Sequence, residues 1–165
     1  MTSAGEKAGT GAAEMDAVET AEEAVKSKVL LIVSGEETYA DGHKDSTRTY
    51  SRAVYETGDG FRRFRYREED PESRAVTESV IEFSSEGCSI VRTGAVNVKM
   101  RFVPDEETRC DYDTPFGSIP MEILTRLVAE RQIGENFHAR IRYRLILEGS
   151  DPVECVVTVR AEPAG

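Results

Sequence analysis

Between Val96 and Phe102 apolar and polar positions alternate without a break: Val96, Val98, Met100 and Phe102 fall on one side, Asn97, Lys99 and Arg101 on the other. A period of two sends successive side chains to opposite faces, so this segment reads as a strand with one buried and one solvated face. It lies inside a run from Ile90 to Thr125 that holds four short strand patterns joined by tight turns. The clearest alternation comes later, where Phe137, Ala139, Ile141, Tyr143, Leu145 and Leu147 oppose His138, Arg140, Arg142 and Arg144.

In chain order, strands are expected over 25–36, 47–57, 61–68, 75–83, 88–93, 96–102, 108–114, 118–127, 137–147 and 153–160. Turn residues punctuate them: Asp59-Gly60, Glu86-Gly87, Thr93-Gly94, Pro115 with Gly117, Gly134 and Asp151-Pro152. Residues 39–46 read as a loop, and 124–131 as the end of a strand or, alternatively, a helix. A hairpin of 61–68 with 75–83 sets Arg63, Arg65 and Arg67 against Glu78 and Glu82, and an Arg65–Glu78 cross-strand ion pair is expected. The result is an all-β antiparallel meander. Closing it into an up-and-down barrel of about eight to ten strands removes the exposed edges of a flat sheet. A two-sheet sandwich is the alternative.

Composition narrows the setting. A length of 165 residues suits one domain. Residues 1–24 are rich in Ala, Gly, Glu and Thr and read as a flexible tail, with a short helix over 12–24 favoured by propensity alone; 25–161 read as a single barrel domain. A net charge of -10 argues against nucleic acid and anionic membrane as partners. Neither an export signal nor a membrane-spanning apolar stretch is expected. Cys88, Cys110 and Cys155 match no disulfide, zinc or redox spacing, which points to reduced thiols in a cytoplasmic protein.

Little of the chemistry looks catalytic. His43 sits in a polar loop and His138 on a solvent-facing parity, and no nucleophile elbow, phosphate loop or dinucleotide fingerprint is present. No cofactor or metal is expected. Asp41, Asp45, Asp105, Glu106 and Glu107 read as solvated turn acids, and the row Arg140, Arg142 and Arg144 as partners of a strand carrying Glu78 and Glu82. The exception is Glu68 and Arg92, each on the apolar parity of its strand. A charge there needs a partner or an opening to water. One reading makes the two of them ligand anchors with Tyr66, Tyr112, Thr114 and Tyr143; the other makes them an ion pair that seals one end of the barrel.

The order Tyr66-x-Glu68, Arg92-Thr93-Gly94, Arg101-Phe102, Tyr112-Asp113-Thr114-Pro115-Phe116-Gly117, Thr125 and Tyr143-x-Leu145 resembles the YwiB-like bacterial family of unknown function. That resemblance covers most of residues 25–161 and implies a calycin, or lipocalin-like, β-barrel. It implies no activity. The expected function is non-catalytic binding of a small apolar or amphipathic ligand at one barrel end. The inward set is bulky, so at most a modest pocket is expected there. The alternative is a protein–protein interaction module with a solid core.

Overall fold

Among the described residues ten strands follow one another around the barrel: β1 (Val25–Thr38), β2 (Lys44–Gly58), β3 (Phe61–Glu69), β4 (Val76–Ser84), β5 (Gly87–Gly94), β6 (Val98–Phe102), β7 (Glu107–Thr114), β8 (Gly117–Ile133), β9 (Asn136–Leu147) and β10 (Val153–Pro163). The structure is a computed structural model that describes residues 25 to 164. The expected tail and its short helix lie outside the described residues. Apart from β6 and β7, each strand pairs antiparallel with the next in sequence, and β10 returns to pair with β1 from Glu154↔Thr38 to Pro163↔Val29. The sheet order is therefore β6-β5-β4-β3-β2-β1-β10-β9-β8-β7.

The two outermost strands of that order, β6 and β7, meet again and nearly close the barrel. Only one backbone bridge ties this seam, Asn97 with Asp113, at 3.0 and 2.9 Å. The Thr108 hydroxyl adds a 2.6 Å bond to the Arg101 carbonyl. A second gap lies between β2 and β3, whose ladder covers only Val54↔Arg65 to Gly58↔Phe61.

Parity governs burial as the alternation predicts. Phe64, Ile81, Phe83, Phe102, Ile123, Phe137 and Ile141 are sealed from solvent and fill the middle. Each buried aromatic or branched side chain contributes roughly 1.5–3 kcal/mol relative to exposure. Phe137 packs on both Phe64 and Phe83, with ring centroids 5.2 and 5.3 Å apart.

Four expectations need correction. Residues 124–131 are strand, because β8 runs on to Ile133 and its backbone is taken up by β9; a bulge between Thr125 and Leu127 absorbs the irregularity that reads as helix. Strand β2 begins at Lys44, so the first loop is shorter than 39–46. Strand β6 begins at Val98, since Val96 falls in the turn that the Asn97 bridge fixes. The β3–β4 register is two residues off the expected one: Glu78 faces Arg67, and Arg65 faces Val80. Arg65 instead bonds Glu56 on β2 at 2.9 Å, while Arg63 bonds Glu82 at 2.8 Å.

Candidate functional site

One barrel end gathers the loops after β1, β3, β5, β7 and β9; it is called here the Glu68 end, and the opposite one the Phe137 end. At the Glu68 end three strands set their inward residues side by side. Tyr66 on β3 faces Ser79 on β4, and Ser79 faces Arg92 on β5. One step outward, Glu68 faces Thr77, which faces Gly94. Arg92 reaches diagonally across β4 to Glu68, with Nη2 3.3 Å from Oε1. Both side chains are about one-third exposed, at 32% and 31%, so the pair stands at the mouth and not inside the packed layers.

Beneath it the environment dries out. Burial pushes the Tyr66 phenol up to about 12, helped by the nearby Glu68 carboxylate and opposed by the Ser79 hydroxyl and Arg92. Ser79 is 1% exposed, and although its Oγ lies near the Tyr66 phenol, no hydrogen bond of good geometry satisfies it among the described residues. Thr125 on β8, likewise 1% exposed, has an unpartnered Oγ1 and pairs in register with Tyr143. Buried hydroxyls are normally satisfied, so these two stand out.

The other expected site residues go elsewhere. Tyr143 packs tilted against Phe102, with ring centroids 4.8 Å apart, and its phenol is driven up by burial and by the facing Cys155. Beside it lies a hollow of about 40 Å³ lined by Gly35, Glu37, Asp45, Thr47 and Cys155, room for a few waters at most. Thr114 serves the β7–β8 turn: its hydroxyl donates to the Gly117 carbonyl at 3.0 Å and accepts from the Phe116 amide at 3.1 Å. Tyr112 faces Ile119 near the same tip. Of the six expected residues, then, Tyr66, Glu68 and Arg92 come together and Tyr112, Thr114 and Tyr143 do not join them.

Two charged clusters escape the sequence reading. At the Phe137 end, Arg62 bonds Glu130 at 2.5 Å with its guanidinium 5.8 Å from the Phe137 ring centre, so an ion pair lies across that end as well. Glu130 takes the inward parity because of the bulge at Arg126, which no alternation pattern announces. On the outer wall, Glu56 is 7% exposed between Arg65, Arg63 and Lys26, and the Arg65 hydrogen bond leads in holding its carboxyl below the usual range. The expected partner of the Arg140–Arg144 row is also revised: β9 lies far from β4 in the sheet order, and Arg144 bonds Glu154 of neighbouring β10 at 2.7 Å. No cluster of three or more metal-ligating side chains occurs among the described residues, nor does any helix long and apolar enough to cross a membrane.

A family model for a domain of unknown function, DUF1934, matches residues 32–159. The chain belongs to the DUF1934 family. The match spans all ten strands of this DUF1934 barrel at least in part. The fold is similar to the crystal structure of the ywiB protein from Bacillus subtilis, with a TM-score of 0.76 and 18% identity over 90% of this chain and 99% of that one. At that identity the likeness speaks for the fold alone, a nearly closed antiparallel β-barrel. No curated protein matches the chain. For this DUF1934 member the Tyr-Asp-Thr-Pro-Phe-Gly element now has a structural account: Asp113 ties the seam, Thr114 braces the turn and Gly117 takes φ 135°. Phe116, at its tip, is 99% exposed, and nothing among the described residues covers it.

Proposed function

We propose that this barrel is a non-catalytic binding protein that takes a small ligand, apolar or amphipathic with one acidic or hydrogen-bonding head, at the Glu68 end. The observation that carries the reading is the orphaned Ser79 hydroxyl, placed in register between Tyr66 and Arg92. Arg92 supplies a cation at an end open to water, and an acidic head competes with Glu68 for it. The ligand must be small, because four phenylalanines fill the middle and the hollow beside Tyr143 is slight. Three free thiols support a reducing, cytoplasmic setting.

Native mass spectrometry of freshly purified protein, then a thermal-shift screen of fatty acids and small aromatic acids, tests the reading. Ligand at a hundredfold excess over its dissociation constant stabilises the fold by roughly 2.7 kcal/mol. Ser79→Ala is expected to abolish the shift while leaving the unliganded melt intact. A bare mass with no shift across the screen refutes the proposal. The packed middle and the bare Phe116 favour a second reading, in which the barrel is an interaction module that meets a protein partner.

A further inference from the structure

Strand β2 is hydrogen-bonded to β1 over its whole length but to β3 only from Val54 onward. From Lys44 to Ala53 its other edge has no strand partner among the described residues, and every residue from Lys44 to Tyr50 is exposed, Tyr50 at 61%. A long edge of this kind is a template for another strand unless it is blunted. Lys44, Asp45, Arg48 and Arg52 charge this edge and restrict which strand can pair with it, but 44–53 has no proline and no bulge against β1, and it holds Thr47, Thr49 and Tyr50, residues that favour strands.

We infer that this edge pairs with the same edge of a second copy of the chain, making a two-fold dimer with a continuous sheet. Its symmetry limits the choice. An antiparallel pairing of identical edges places a residue opposite itself, and side chains of one parity stay on one face. Centring on Arg48 puts two arginines together and Lys44 opposite Arg52 on both sides; centring on Tyr50 puts Arg48 opposite Arg52 twice. Centring on Thr49 sets no like charges in opposition. It aligns Thr47 with Ser51, Ser46 with Arg52, Asp45 with Ala53, and Arg48 with Tyr50 of the other copy at two equivalent places. Guanidinium over phenol is a favourable cross-strand pair. The Thr49 register also uses the free edge almost to both ends, so the second copy is the occupant that the charges favour. The inference stands apart from ligand binding at the Glu68 end.

Sedimentation velocity of the full chain from about 1 to about 100 μM is expected to show a reversible dimer with a micromolar dissociation constant. Tyr50→Lys sets a lysine against Arg48 of the other copy twice and is expected to weaken the dimer about tenfold or more. Adding Arg48→Glu to Tyr50→Lys restores opposite charge at both places and is expected to recover the dimer, although it also removes the 3.3 Å Arg48–Ser34 contact. Unchanged melting curves check that each variant folds. Hydrogen exchange at both concentrations reads the edge itself: of the amides of 46–52, those that point away from β1 are protected only in the dimer, while the alternate ones bonded to β1 are protected in both. A monomer at the highest concentration, a dimer indifferent to Tyr50→Lys, a double variant that stays weak, or protection in the monomer of the 46–52 amides that point away from β1 each overturns the inference.

Discussion

Arg92 and Glu68 meet 3.3 Å apart across an intervening strand, at a barrel mouth where each keeps about a third of its side chain in water. Such a pair is screened, so its worth lies near the upper end of surface ion pairs, about 1 kcal/mol. Urea melts of Glu68→Gln, Arg92→Met and the double variant are expected to show that coupling. Strictly additive losses would mean that the contact contributes nothing.

Glu56 gives the fold a defined acid sensitivity. Its carboxyl is held below the ordinary range in the native state by Arg65, with Arg63 and Lys26 beside it. A depressed native pKa means that the unfolded state takes up protons first as pH falls. The stabilisation is therefore complete above the ordinary carboxylate range and is lost as pH drops through the native value. The stability gap between wild type and Glu56→Gln is expected to be widest near neutral pH and to close in acid. Parallel denaturant melts across that range measure it.

Thr125 carries a buried hydroxyl with no partner, which costs free energy that valine does not incur at nearly the same shape. Thr125→Val is expected to leave stability unchanged or raise it by about 1 kcal/mol. A loss of similar size, measured by thermal melting, would show that the hydroxyl is satisfied in solution.

Gly94 ends the Arg-Thr-Gly element at φ 131°, and a Cβ there would lie 2.3 Å from the Val76 carbonyl oxygen. Gly87 is in the same position against Phe102, at 2.1 Å. Both neighbours are backbone, which cannot swing aside. Gly94→Ala and Gly87→Ala are each expected to cost at least about 2 kcal/mol, whereas Gly134→Ala, at φ 60° with open space around it, should cost less. Urea midpoints rank the three.

The thiols should react in a fixed order. Burial raises Cys155 to about 12 and Cys88 further still, while half-buried Cys110 is raised less. Brief alkylation of native protein followed by peptide mapping is expected to find Cys110 modified first. Early modification of Cys88 would mean that the Phe137 end opens readily.

What the sequence discloses here is what period two can carry. The alternation from Phe137 to Leu147 and from Thr77 to Phe83 names inward residues correctly, because parity is local to a strand. The meeting of Glu68 and Arg92 was legible for the same reason: both break the apolar parity of their strands. Register is not local. The misplaced Arg65–Glu78 pair came from the length of the Glu69–Ala75 connection, which fixes how β3 slides on β4. Glu130 was invisible because one extra residue in β8 reverses the parity after it. The partial separation of β2 from β3 depends on how far two strands follow each other, and no residue in either announces it.

The pairing of β1 with β10 shapes how the chain must be made. Of the ten described strands β1 is made first and can form its hairpin with β2 at once, yet its other edge stays bare until β10 has followed. Loss of β10, 11 residues long, strips partners from β1 and β9 together and turns a barrel into a sheet with two raw margins. Nascent or clipped copies of this protein are therefore the ones that chaperones and proteases must recognise, and the integrity of β10 decides whether a molecule survives as a barrel or is lost to aggregation.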